Sequence, residues 1–181
     1  MPRQPNPYLE DRILNAAQKL FVRGGEQALS MRVLAKAART NTPAVYRRFR
    51  NRREILRALL HRTQRDLMVV LEPCNSFSEA CQCTVDFIVD HPHEYHLISA
   101  GVFSKIDEPR VTLEFMKRKS AEWLGGTPED HTDLVLALWP LVHGAGTLLS
   151  SKAVPANHQA QFRSVFRHAV AALVANARCD A

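Results

Sequence analysis

The 181-residue sequence predicts an all-α fold of about nine helices. Three observations carry this reading. Helix-start signatures recur along the chain, apolar residues between them repeat at three- and four-residue intervals, and no stretch alternates as a half-buried strand would. A hydrophobic content of 46% suits a chain that buries a core, while ten prolines and seven glycines are too few for a linker-rich or disordered one. No internal repeat or low-complexity segment is visible.

The elements follow in order. Asn6-Pro7 supplies an N-cap and a proline at the first helical position, and Glu10 and Asp11 place negative charge in the first turn. Leu9, Ile13, Ala16, Ala17, Leu20 and Phe21 form the stripe of that helix, which Gly24-Gly25 stops. Ser30 caps a short helix expected to turn Val33, Leu34 and Ala37 inward. After a break of three or four residues, Ala38 to Asn41, Asn41 caps another. Pro43 is tolerated there because first-turn N–H groups have no helical partner. This helix is expected to present Thr42, Ala44 and Arg47 outward and to turn Val45 and Phe49 inward. Ser76-x-x-Glu79 is a capping box for a helix reaching about Asp90, and Pro92 opens a short one. Asp107-Glu108-Pro109 opens the next, which ends at Gly125-Gly126, and Thr127-Pro128-Glu129-Asp130 opens an apolar helix through Ser150. Pro155 opens the last, striped by Phe162, Val165, Phe166, Ala169, Val170, Leu173 and Val174.

Charge divides the chain. Residues 1–65 hold 15 Lys and Arg against 4 Asp and Glu, a surplus of eleven positive charges; the remaining 9 against 14 leave the rest mildly acidic. That asymmetry fits a polyanion-binding head on a body with another role, and equally a solvated arginine-rich surface. Two short helices joined by a tight turn, the second basic and exposed, have the form of a helix-turn-helix. Cys74, Cys81, Cys83 and Cys179 form neither a C-x-x-C pair nor a zinc-finger spacing. No leader is expected from the polar Met1–Tyr8 stretch. The apolar run Leu134–Leu149 is 16 residues, short for a bilayer, and reads as a buried core helix. The expectation is a soluble cytoplasmic protein with reduced cysteines and no membrane association.

The run ILNAAQKLFVRGG…LSMRVLAKAARTNTPAVYRRFRNRREIL, residues 13–56, resembles the DNA-binding domain of the tetracycline-repressor (TetR) family. The anchors are Ala16-Ala17, Leu20-Phe21, Gly24 or Gly25, Leu34-Ala35, Ala38, Val45-Tyr46, Phe49 and the Asn51-Arg52-Arg53-Glu54 helix start. The resemblance implies a three-helix DNA-binding domain over residues 1–54 and a ligand-binding and dimerisation domain over 55–181. It implies a transcriptional regulator, usually a repressor, with double-stranded operator DNA, a second copy of the chain and a small-molecule effector as partners. It further implies that Arg32 reaches a base edge and that Thr42, Pro43, Ala44 and Arg47 face the major groove. Tyr46, Arg48 and Arg52 would contact the backbone. Arginine can pair bidentately with guanine, and the apolar residues can meet a thymine methyl. One departure stands out: Ala38-Arg39-Thr40-Asn41 replaces the family's glycine-containing turn. If the backbone there keeps a positive φ, a non-glycine residue costs roughly 1 kcal/mol, which a phosphate contact from Arg39 would offset. The alternative is a remodelled turn.

The body is less legible. LWPLVHGAGTLL, residues 138–149, resembles the tryptophan-x-x-x-His-Gly stretch of one TetR-family subgroup, and Gly144, Ala145 and Gly146 permit close helix approach. Apolar surface on the last two helices beyond what one small domain can cover suggests a homodimer built from them. Phe87, Phe103, Phe115, Met116, Trp123, Trp139 and His143 are candidate pocket residues, and each is also readable as plain core. Of His91, His93 and His96, the first two flank a proline break and the three need not converge, so no metal is expected. Cys81 and Cys83, two apart on a helix, point apart and read as small buried residues rather than a redox sensor. No nucleophile elbow, phosphate loop or H-E-x-x-H motif is present; no catalytic residues or cofactors are expected. A constitutive DNA-binding regulator without an inducer is the alternative reading, and an all-helical enzyme a remoter one.

Overall fold

The computed structural model describes residues 8–99 and 111–179, except the side chains of 99, 178 and 179. Asn6, Pro7, Phe103, Asp107, Glu108 and Pro109 lie outside the described residues. Nine α-helices run through the described chain: α1 (Leu9–Gly24), α2 (Met31–Ala37), α3 (Thr42–Tyr46), α4 (Arg52–Leu71), α5 (Phe77–Asp90), α6 (Pro92–Ser99), α7 (Val111–Leu124), α8 (Thr132–Ser150) and α9 (Gln159–Cys179). Short 3₁₀ turns at Glu26–Ala28, Pro128–His131 and Ala156–His158 precede α2, α8 and α9. No strand occurs among the described residues.

The caps expected at Ser30, Asn41 and Ser76 are made, Asn51 caps α4 as well, and the start expected at Asn6-Pro7 is not the one α1 uses. Ser30 Oγ accepts from the Val33 N–H at 3.2 Å, Asn41 Oδ1 from Ala44 at 2.8 Å, Asn51 Oδ1 from Glu54 at 3.0 Å and Ser76 Oγ from Glu79 at 3.3 Å. Each such cap contributes about 1 kcal/mol. Glu54 and Glu79 bond back to the N–H groups of Arg50 and Asn75, one residue before the cap. α1 starts without a side-chain cap, at Tyr8.

Burial sorts the helices into two cores that share α4. Ile13, Ala17, Phe21, Leu34, Val45 and Phe49 gather with Ile55, Leu59 and Leu60 from the first half of α4. Leu67 and Leu71, from its second half, join residues of α5, α7, α8 and α9 in the body core. At about 1.5 Å per residue the 20-residue α4 is roughly 30 Å long, a strut between the two. α6 also belongs to both: Tyr95 lies in the body core and Leu97 in the N-terminal one.

α5 and α8 pack closest. A Cβ at Gly146 would sit 2.5 Å from Cδ1 of Ile88, so this glycine serves an approach within the chain. Gly144 has open space where its Cβ would be. The span Pro128–Ser150 is long and apolar enough to cross a membrane, which corrects the expectation from its length. What places it in a core is packing: Leu134, Val135, Leu138, Val142, Ala145 and Leu149 are buried along one face.

Candidate nucleic-acid interface and body cavity

α2 and α3 form the helix-turn-helix. α2 ends in a Schellman motif: the Arg39 N–H donates to the Lys36 carbonyl at 3.1 Å and the Thr40 N–H to the Ala35 carbonyl at 2.9 Å. This puts Arg39 in the left-handed position that the motif normally gives to glycine, and its φ is indeed +52°. Positive φ is therefore kept, not remodelled away. A residue that sequence reasoning missed completes the turn. Arg12 of α1 donates from Nη2 to the Ala38 carbonyl at 2.6 Å and to the Arg39 carbonyl at 3.1 Å. Its guanidinium satisfies acceptors at the C-terminus of α2, where positive charge also suits the helix dipole. A pairing across 26 residues leaves no local mark in the sequence.

In α2 the inward face lies one residue away from where the sequence put it, whereas Val45 of α3 and Phe49 just after it turn inward as expected. In α2 the buried residues are Leu34 and Ala35, followed by Ala38, while Val33 and Ala37 are exposed. One residue is a 100° rotation on a helix, and in seven residues periodicity cannot resolve it. In α3 both Ala44 (4% exposed) and Val45 are buried. Ala44 is thus corrected from a groove-facing residue to a packing one. The outward face is Pro43, Tyr46 and Arg47, which share one side by their i, i+3, i+4 spacing. Arg47 occupies the C-cap of α3. Thr42 is partly buried, and Arg32, Arg39, Arg48 and Arg52 are exposed.

Arg52 at the start of α4 is paired in the free protein: its Nη2 lies 2.7 Å from Glu26 Oε1, with both side chains about half exposed. An exposed pair of this kind is worth roughly 0.2–1 kcal/mol, little enough for a phosphate to displace or share. Arg62 of α4 reaches Asn15 Oδ1 at 2.6 Å and so ties α4 to α1.

The body contains a cavity of about 80 Å³, walled by α4, α5, α6, α7 and α8. Met116 and Trp139, both expected pocket residues, line it. The other described candidates do not line it and pack against other side chains. Phe87 packs on the His91 ring at 4.8 Å and Trp123 stands edge-on to Phe77 at 5.0 Å. Phe115 is buried under the Arg118 guanidinium, and His143 stacks on Tyr95 at 5.7 Å. The void remains where α5 presents smaller residues, Ala80, Cys81 and Thr84, beside Thr112 of α7. Phe77, Ala80, Cys81 and Thr84 have helical spacing, so that wall was legible as a stripe. Burial pushes the Tyr95 phenol and the Cys81 thiol up to about 12. Cys74 is likewise pushed to about 12, first by burial and then by a hydrogen bond with Cys83, which is only partly buried.

Residues 13–59 match the family model described as bacterial regulatory proteins, tetR family. An uncharacterized HTH-type transcriptional regulator of Mycobacterium tuberculosis is 32% identical over 90 residues. That match covers 45% of this chain and 45% of the relative, so the chain spans less than half the length of the curated relatives it matches. Among solved structures, a tetR-family transcriptional regulator from Streptomyces coelicolor superposes with a TM-score of 0.74 at 18% identity, over 97% of this chain and 84% of the other. BioQ of Mycobacterium smegmatis follows with 0.67 at 22% identity, over 95% and 99%. At those identities the structures establish a shared fold.

Proposed function

We propose that this chain, whose residues 13–59 match the tetR-family model, is a ligand-responsive transcriptional repressor of that family that binds a pseudo-palindromic operator as a homodimer in the cytoplasm. The observation that carries this is the exposed face Pro43, Tyr46 and Arg47 on a properly capped α3, within a strongly basic head. Arg47 and Arg32 read base edges and Pro43 offers apolar contact. Arg39, Arg48, Arg52 and Tyr46 hold the phosphate backbone, which sets affinity without sequence information.

Dimerisation is supported by apolar residues left exposed on the last two helices. Leu136, Pro140 and Leu148 lie along the face of α8 opposite its buried one, and Val165 of α9 is 61% exposed. Burying that surface between two copies would set two recognition helices about 34–36 Å apart, one turn of the duplex. The proposed control runs through the cavity. Tyr95 and Ile98 of α6 line it, and Leu97 of the same helix packs in the N-terminal core, where Glu94 also meets Gln18 of α1 at 3.5 Å. A ligand that moves α6 or α4 changes the spacing of the two heads and lowers operator affinity.

Selection of bound fragments from random-sequence DNA, with native mass spectrometry of the winners, tests the reading. The expected result is an inverted repeat carrying two chains. No enrichment over input at moderate salt, or a single chain on a single half-site, rejects it.

A further inference from the structure

Among the described residues, the cavity wall holds no carboxylate, ammonium, guanidinium or imidazole group. Its two ionisable members, Tyr95 and Cys81, are held neutral by burial. The nearest lysines of α7 are committed elsewhere: Lys117 Nζ lies 3.1 Å from Glu114 and 3.3 Å from Glu129, and Lys119 Nζ donates to the Glu72 carbonyl at 3.0 Å. A charged ligand would therefore be stripped of water with no counter-charge, and the neutral form of any such molecule is favoured.

The wall's two threonine hydroxyls differ. Thr84 Oγ1 donates to the Ala80 carbonyl at 2.8 Å within α5, so its proton is taken. Thr112 Oγ1 is fully buried and has no hydrogen-bond partner among the described residues. Buried polar atoms almost always have partners, and one that lacks a partner on a cavity wall marks where a ligand's polar atom belongs. The rest of the described wall is apolar, with Leu67, Leu71, Leu138 and Val142 among its residues, which suits an aliphatic body.

From these features we propose that the cavity takes an uncharged, mainly aliphatic molecule with one hydrogen-bonding head, which pairs with the Thr112 hydroxyl. This rests on reading the cavity as the effector site and names the chemistry of the effector. The hydroxyl can donate to a carbonyl or accept from an alcohol, so both heads belong to the class.

The test titrates the full chain, bound to its selected operator and free, with 1-hexanol, hexanoate and hexylammonium at pH 7.5, using saturation-transfer NMR for binding. The expected result is 1-hexanol at least about tenfold tighter than either ion. Thr112→Val, which keeps the shape and removes the hydroxyl, weakens 1-hexanol by roughly twofold to tenfold, the range of one neutral hydrogen bond. Ala80→Leu, which fills the void, abolishes the signal. An ion that binds as well as the alcohol, an unchanged Thr112→Val, or no alcohol binding up to its solubility each overturns the proposal. Alcohol binding that leaves the operator bound supports the ligand class and instead refutes the ligand-responsive part of the function.

Discussion

Arg39→Gly isolates the one place where this chain carries local backbone strain inside the DNA-reading motif. An L-residue in the left-handed region costs roughly 1–2 kcal/mol relative to the right-handed one, and glycine there costs nothing sterically. Glycine gives back about 0.4–1 kcal/mol by widening the unfolded ensemble. The net stabilisation is about 0.5–1 kcal/mol, and in a chain of this size that corresponds to a rise in Tm of roughly 1–4 °C. Arg39→Ala is the control. It removes the same charge but keeps the Cβ, and hence the strain at φ +52°. Thermal melts followed by circular dichroism should place Arg39→Gly above both the parent and Arg39→Ala. The two variants should behave alike on DNA, because both remove the same cation. Each flattens the dependence of log affinity on log salt by roughly 0.9 for every phosphate that a subunit no longer neutralises. An Arg39→Gly protein that melts no higher than Arg39→Ala would refute the strain argument, whatever happens on DNA.

The other expectations are briefer. Arg12→Met removes the donor from the Ala38 and Arg39 carbonyls; it should lower operator affinity more than random-DNA affinity in fluorescence anisotropy, and equal losses on both would show that Arg12 does not position α3. Arg47→Ala should relax base preference in a binding-site selection, whereas Arg52→Ala should weaken every sequence alike; identical behaviour of the pair on specific and random DNA rejects that division. Gly146→Ala pushes a methyl into Ile88 and should cost about 1–3 kcal/mol in denaturant unfolding, part of it recovered by adding Ile88→Ala; simple additivity of the two losses would place the strain elsewhere. With maleimide at pH 8 and site-resolved mass spectrometry, Cys83 should be modified well before Cys74 and Cys81, whose burial raises them to about 12.

How much was legible follows from how local each signal is. Ser30, Asn41 and Ser76 were readable as caps because a cap is a matter of three neighbouring residues, and all three accept the expected N–H. The positive φ at Arg39 was readable as a conditional, since a position that normally demands glycine was occupied by something else. Facing was only partly readable in helices of five or seven residues: Val45 and Phe49 turn inward as expected, but Ala44 is buried and α2 is one residue out of phase, exposing Val33 and burying Ala35. Tertiary relations were silent altogether: nothing near Arg12 announces the turn it holds. Of the described aromatic candidates Trp139 lines the cavity, while Phe87, Phe115, Trp123 and His143 pack against other side chains. For Trp123 and His143 those partners, Phe77 and Tyr95, are contacts that no sequence spacing announces.

The placement of α6 explains why a small void could govern a distant head. Residues two apart on a helix are about 200° apart around its axis, so Tyr95 and Leu97 point to opposite sides of one eight-residue element. One side meets the cavity and the other enters the N-terminal core, with Ile98 packed against both cores. A single continuous core would resist such a displacement over its whole volume, because interiors are close-packed and transmit strain. Two cores joined by α4 and α6 confine it to that seam. Couplings of about 1–3 kcal/mol between sites are typical of regulated proteins, comparable to losing a few well-packed methylenes. On the proposed reading, repacking around Leu97 and Ile98 would supply a difference of that size without moving a charge.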